Sequence, residues 1–201
     1  MPDDDAAEDQ SRRRSYVVRP LAEKEALMSP TIPLPTDNDL PAAIRETLAG
    51  LPPLNVFRMM ANAPASFQAL IDFAMSVIVS SEFDARKREI AILRVAHVTH
   101  SKYEWVQHVA FGKRLGLTDP EIVQIGVDGP VTGLDEEGNL LCRVADEISR
   151  DVRLSDTALS QILRRYGTRQ ATELILCCSY FNMLSRFLES TRVALESEPV
   201  L

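Results

Sequence analysis

The stretch EFDARKREIAILRVAHVTHSKYEWVQHVAFGKRLG, residues 82–116, decides how the chain folds. Asp84 is a natural N-cap, and behind it Ile90, Ala91, Ile92, Leu93, Val95 and Ala96 are apolar nearly all round a helix. A helix without a polar face belongs in the middle of a bundle. Ser101 with Glu104 three residues on has the spacing of a capping box, so a second helix is expected from there to Gly116. The two form a hairpin with a tight joint near residue 100.

The same 3.6-residue grammar runs outward in both directions. A helix is expected from about Leu40 to Gly50, a short one over Asn55–Ala61, and a longer one opened by Pro64. In the last, Phe67, Leu70, Ile71, Ala74, Val77 and Ile78 make a stripe that Phe73, Met75 and Val79 widen. Thr118 with Glu121 repeats the capping box, and Gly129–Gly138 reads as a loop. Leu140–Arg150 is amphipathic, Ser155 starts a helix ending at Gly167, and Thr168 opens a long last one. No segment alternates apolar and polar residues over strand length, so the fold class is all-α.

Composition narrows the function. With 45% hydrophobic and 25% charged residues in 201, the chain can bury a core, which excludes disordered and collagenous classes. Lys+Arg 22 against Asp+Glu 29 gives a net charge of −7, so nucleic acid is not expected as a partner. No apolar run approaches the roughly 18 residues of a membrane span, and the acidic start is unlike a secretory signal, so no membrane partner and a cytoplasmic location are expected. Cys142, Cys177 and Cys178 form no CxxC and are expected as free thiols. Residues 1–37 read as a disordered acidic tail followed by a Pro-rich arm with Pro20, Pro30, Pro33 and Pro35, and 38–201 as a single domain.

The candidate chemistry is clustered. All three histidines, His97, His100 and His108, fall within twelve residues, with Glu89 and Glu104 in the same stretch. On a straight helix Glu89, Leu93, His97 and His100 share a face, and Glu104 and His108 share one on the next. Facing each other across the hairpin, they would put carboxylates and imidazoles in one partly buried site able to move protons. Plainer roles compete. Glu89 could pair with Arg86, Arg88 or Arg94, Glu104 could serve only as a cap, and His108 could be a satisfied core histidine. A metal site from His97, His100 and a carboxylate is set aside because no HExxH or Cys/His ligand spacing accompanies it.

Residues 55–122, NVFRMM through GLTDPEI, resemble the core of the carboxymuconolactone decarboxylase-like family, which includes the alkylhydroperoxidase D branch. Residues 173–196, ELILCCSYFNMLSRFLESTRVALE, resemble its final helix. The resemblance implies a helical orthogonal bundle of the alkylhydroperoxidase D-like type with a central helical hairpin, assembled as a trimer or hexamer. In the peroxidase branch a glutamate precedes a CxxC and a histidine. Glu89 and His108 match the outer two, but Ser101 and Glu104 stand where the cysteines would be, so thiol peroxidase chemistry is not expected. The resemblance then implies a decarboxylase acting on a small carboxylated lactone or conjugated acid, with no metal and no organic cofactor. Glu89, His108 and Glu104 would be catalytic; Tyr103, Arg94, Ser101, His100 and Trp105 would line or bind the substrate. The alternatives are an isomerase or hydrolase on the same scaffold, or a non-catalytic helical oligomer that has lost the peroxidase cysteines.

Overall fold

A computed structural model describes residues 30–197. The chain divides into Met1–Pro30 and Thr31–Leu201, and the fold below is that of the second unit. The acidic tail expected over 1–15, and the arm as far as residue 29, lie outside the described residues.

Among the described residues there are eight α-helices and no strand: α1 (Ala42–Ala49), α2 (Asn55–Met60), α3 (Pro64–Ile78), α4 (Ala85–Val98), α5 (Lys102–Arg114), α6 (Asp119–Ile125), α7 (Glu136–Asp151) and α8 (Asp156–Thr191). Pro64 opens α3 at a position where its missing N–H costs nothing. Asp84 caps α4 by accepting from Lys87 N–H at 2.9 Å, and Thr118 and Glu121 form the reciprocal box on α6. Gly167 breaks α8 into two limbs, with φ +71 and ψ 176, a conformation that a side chain would resist. α7 starts at Glu136, four residues ahead of its apolar pattern, because Asp135 caps it through Gly138 N–H at 2.7 Å.

Residues 31–36, expected as part of a Pro-rich arm laid over a surface or a neighbouring subunit, lie along the bundle of their own chain. Ile32 N–H donates to Thr191 O, Asn62 to Pro33 O, and Arg58 to Pro35 O. The packed unit therefore begins ahead of residue 38.

α4 is the axis of the bundle, packed against α5, α7 and α8. Every residue from Arg88 to Ala96 is buried. Its two buried arginines are structural. Arg88 donates to the carbonyls of Ile78 and Phe83, closing the end of α3 and the turn beyond it. Arg94 makes a two-pronged bond with Asp146 at 2.7 and 3.0 Å and donates to the carbonyls of Ile125, Val127 and Gly129 at 2.5–2.9 Å. It thereby pins α7 and the end of α6 to the axis.

Candidate active site

Glu89 sits on α4 with its side chain at 0% exposure, and none of the neighbouring arginines reaches it. Arg86 pairs with Glu121, while Arg88 and Arg94 are spent as described above. Its partner is His108 on α5, with Nδ1 2.7 Å from Glu89 Oε2. Glu104, one turn earlier on α5, places Oε2 3.2 Å from His108 Nε2. One imidazole is thus held between two carboxylates from the two arms of the hairpin. Burial alone would lower its pKa, but the charge of Glu89 and the hydrogen bonds that the ring donates to Glu104 and Glu89 outweigh it and raise the value to about 10. His108 is an imidazolium at neutral pH, with both N–H groups donating.

The third wall comes from the second limb of α8. Phe181 meets the His108 ring edge to face at 4.9 Å between centroids, and Tyr180 meets Phe181 at 5.2 Å. Cys177, one turn earlier on α8, lies close enough to feel the charge of Glu89. Tyr180 and Phe181 were not among the residues expected here. Within CCSYFNML, residues 177–184, a tyrosine amid apolar neighbours is the only sequence signal for them.

The other expected residues are placed as follows. Ser101 is the N-cap of α5 but makes no capping bond, and its Oγ is buried without a partner. The N–H that Glu104 would have bonded in a capping box instead donates to Ala96 O at 2.9 Å. The Lys102 N–H donates to Glu189 at 3.0 Å. Glu104 is left for His108. Arg94, expected to bind an anion, has its donors committed to Asp146 and three carbonyls, so it is not available to a ligand.

Tyr103 is about 100° around α5 from Glu104 and faces the chain end, donating to Glu196 Oε1 at 2.5 Å and accepting from Val56 N–H. Gln107, one turn on, also donates to Glu196. Trp105 lies against Gly126 and the His97 ring, 6.1 Å away.

His97 and His100 do not join the site. α4 ends at Val98, so the stripe through Glu89 and Leu93 stops short of His100, which is exposed at φ +56 in the joint. His97 is two turns, about 12 Å, along α4 from Glu89 and faces Asp128 at 3.4 Å. Burial and Arg94 lower its pKa. No group of three or more His, Cys, Asp or Glu among the described residues is arranged to hold a metal.

All three thiols are free and buried, and burial raises the pKa of each, to about 12 for Cys142 and Cys178. No helix among the described residues is long and apolar enough to cross a membrane. A groove of about 820 Å³ runs between α7 and the first limb of α8, and Glu89, Glu104 and His108 do not line it. The site meets solvent through the 14% of the His108 side chain that is exposed.

The bundle and its central hairpin have a helical fold of the alkylhydroperoxidase D-like type. An uncharacterized peroxidase-related protein from Silicibacter sp. TM1040 shares the fold at 18% identity, with 84% of this chain and 93% of that one covered and a TM-score of 0.69. An alkylhydroperoxidase AhpD core protein from Ralstonia eutropha JMP134 does so at 17% identity, 84% and 95% coverage, and a TM-score of 0.69. A protein of unknown function from Agrobacterium tumefaciens is similar at 19% identity, 67% and 93% coverage, and a TM-score of 0.57. No curated protein matches the sequence. Residues 64–141, from the start of α3 into α7, match the carboxymuconolactone decarboxylase family.

Proposed function

We propose that the protein is a cofactor-free carboxy-lyase that removes carbon dioxide from a small carboxylated lactone or conjugated acid. The observation that supports this reading is the His108 imidazolium clamped by Glu89 and Glu104, a stored proton in a mostly water-excluded site. In such a reaction the bond to the carboxylate carbon breaks, and its electron pair passes into the adjacent conjugated carbonyl as a dienolate. His108 then gives its proton to carbon, and solvent returns one to the imidazole. Nδ1, held at 2.7 Å by a fully buried carboxylate, is the orienting side. Nε2, at 3.2 Å from a carboxylate nearer the surface, is the side that gives up its proton.

The relatives with peroxidase-related names share the fold at under a fifth identity. Ser101 and Glu104 occupy the motif positions where a redox thiol pair would stand, which favours proton transfer over thiol chemistry. The test is carbon dioxide release from carboxylated unsaturated lactones, compared between the parent and His108→Gln.

The working form is proposed to be a homo-oligomer. Phe73 on α3 and Leu176 and Met183 on α8 are 37–43% exposed around Tyr180, an apolar patch of the kind that marks an interface. Light scattering should give a multiple of 22.4 kDa, and a clean monomer at micromolar concentration contradicts it.

A further inference from the structure

Where α8 ends the chain turns at Arg192, with φ +57, and continues as a short strap toward α2 and α5. On that strap the half-buried Glu196 carboxylate gathers three donors from the two helices. Oε1 accepts from Asn55 N–H at 2.6 Å and from the Tyr103 hydroxyl at 2.5 Å, and Oε2 accepts from the side-chain amide of Gln107. All three donors are uncharged. Both carboxylate oxygens are thus satisfied by aimed hydrogen bonds with no counter-ion, a geometry that recognises the carboxylate group itself.

The seat is built without the strap. Tyr103 is 4% exposed, and Val56 N–H donates to its oxygen at 3.2 Å, which leaves the phenol's own hydrogen for the carboxylate. Burial and the neighbouring Glu196 both keep that phenol protonated. Asn55 opens α2, so its N–H has no acceptor within the helix. Taking Glu196 away therefore leaves donors held in place with nothing to donate to, which costs free energy. The strap itself is tied more lightly. Val193 and Leu195 are partly buried against the core, and Asn55 Nδ2 donates to Ala194 O at 3.0 Å.

We propose that Tyr103, Gln107 and the Asn55 N–H form a binding site for a small carboxylic acid in its ionised form, a site that the chain's own Glu196 fills and that a free carboxylate takes over as the strap lets go. The shape of the occupant is on the page: the Glu196 side chain from Cβ outward is propionate. The site shares α5 with Glu104 and His108 but uses neither, so it does not depend on the proton-transfer reading.

The experiment uses the full chain with propionate as the probe, against sodium chloride at the same ionic strength and against propionamide. In Glu196→Ala, propionate should raise the thermal midpoint along a saturating curve. The Asn55 amide proton, moved upfield by loss of the carboxylate, should return downfield as propionate is added. Propionamide should need about tenfold more, the difference between a hydrogen bond to a charged group and one to a neutral group. Adding Tyr103→Phe should weaken propionate by about tenfold as well. In the parent, the short tether gives Glu196 an effective concentration on the millimolar scale, so ~200 mM propionate should displace it. The Val193–Leu195 amide resonances should then move toward their Glu196→Ala positions while the Asn55 amide stays downfield. A response in Glu196→Ala that does not saturate, that chloride or propionamide matches, or that Tyr103→Phe leaves untouched overturns the site. Strap resonances of the parent that stay fixed under propionate overturn it too, even where Glu196→Ala fails to fold, and leave Glu196 as a clasp between α2, α5 and the strap.

Discussion

Glu89 Oε2 and His108 Nδ1 stand 2.7 Å apart across the hairpin, and the carboxylate has no access to solvent. Its second oxygen, Oε1, is buried without a partner. An ion in that position is tolerated only because its counter-ion is held against it, so the pair links the stability of the fold to the protonation of His108.

That linkage sets a pH dependence. The folded-state pKa of His108, about 10, lies above the ordinary 6.5, so the folded chain holds the proton more tightly than the unfolded one. The stabilisation is complete below about pH 6.5 and disappears as pH rises through about 10. The thermal midpoint of the parent should exceed that of His108→Gln at pH 6, with the gap narrowing steadily toward pH 10.5. A gap independent of pH contradicts the assignment.

Ser101 and Thr118 look alike in sequence, each followed by Glu three residues on, and the structure separates them. Thr118 is paired reciprocally with Glu121, whereas Ser101 Oγ bonds to nothing and Glu104 serves His108. Thr118→Ala should cost about 1 kcal/mol in denaturant unfolding. Ser101→Ala should fall within about 0.5 kcal/mol of the parent.

Arg94 is the pin of the bundle. Truncating it strands Asp146 and three carbonyls, so Arg94→Leu should lose about 3–5 kcal/mol by denaturant titration. Arg94→Lys should recover only part of this, since one ammonium cannot reproduce a two-pronged bond and reach the carbonyls of Ile125, Val127 and Gly129 as well.

Thiol chemistry should be absent. Cys142, Cys177 and Cys178 are buried, with burial holding each as the unreactive thiol. Hydroperoxide turnover with a dithiol reductant should stay at background. Turnover abolished by Cys177→Ser or Cys178→Ser contradicts this.

Periodicity made the helices legible because each buries one stripe, and α4 stood out because Ile90–Ala96 is apolar at every position but Arg94. The start of α7 was hidden because its cap, Asp135 and Gly138, precedes any apolar repeat. At the site, the helical steps from Glu104 to His108 and within Glu89–His97 were readable, but where α4 ends was not. His100 was therefore assigned to a face the helix does not reach. Whether Glu104 caps or pairs depends on Ser101 N–H finding Ala96 O, and on Glu189 arriving from α8. Tyr180, some seventy residues beyond His108 in sequence, is placed by helix packing alone.

The most direct test of the central claim is turnover of a carboxylated unsaturated lactone by the parent, Glu89→Gln, His108→Gln and the double variant, read as carbon dioxide released. Each single substitution should lower the rate by roughly 10² to 10⁴. The double variant should be little slower than the poorer single one, because a proton relay broken at one member is already broken. His108→Gln that folds like the parent and releases carbon dioxide at the parental rate contradicts the account and returns His108 to the role of a core histidine.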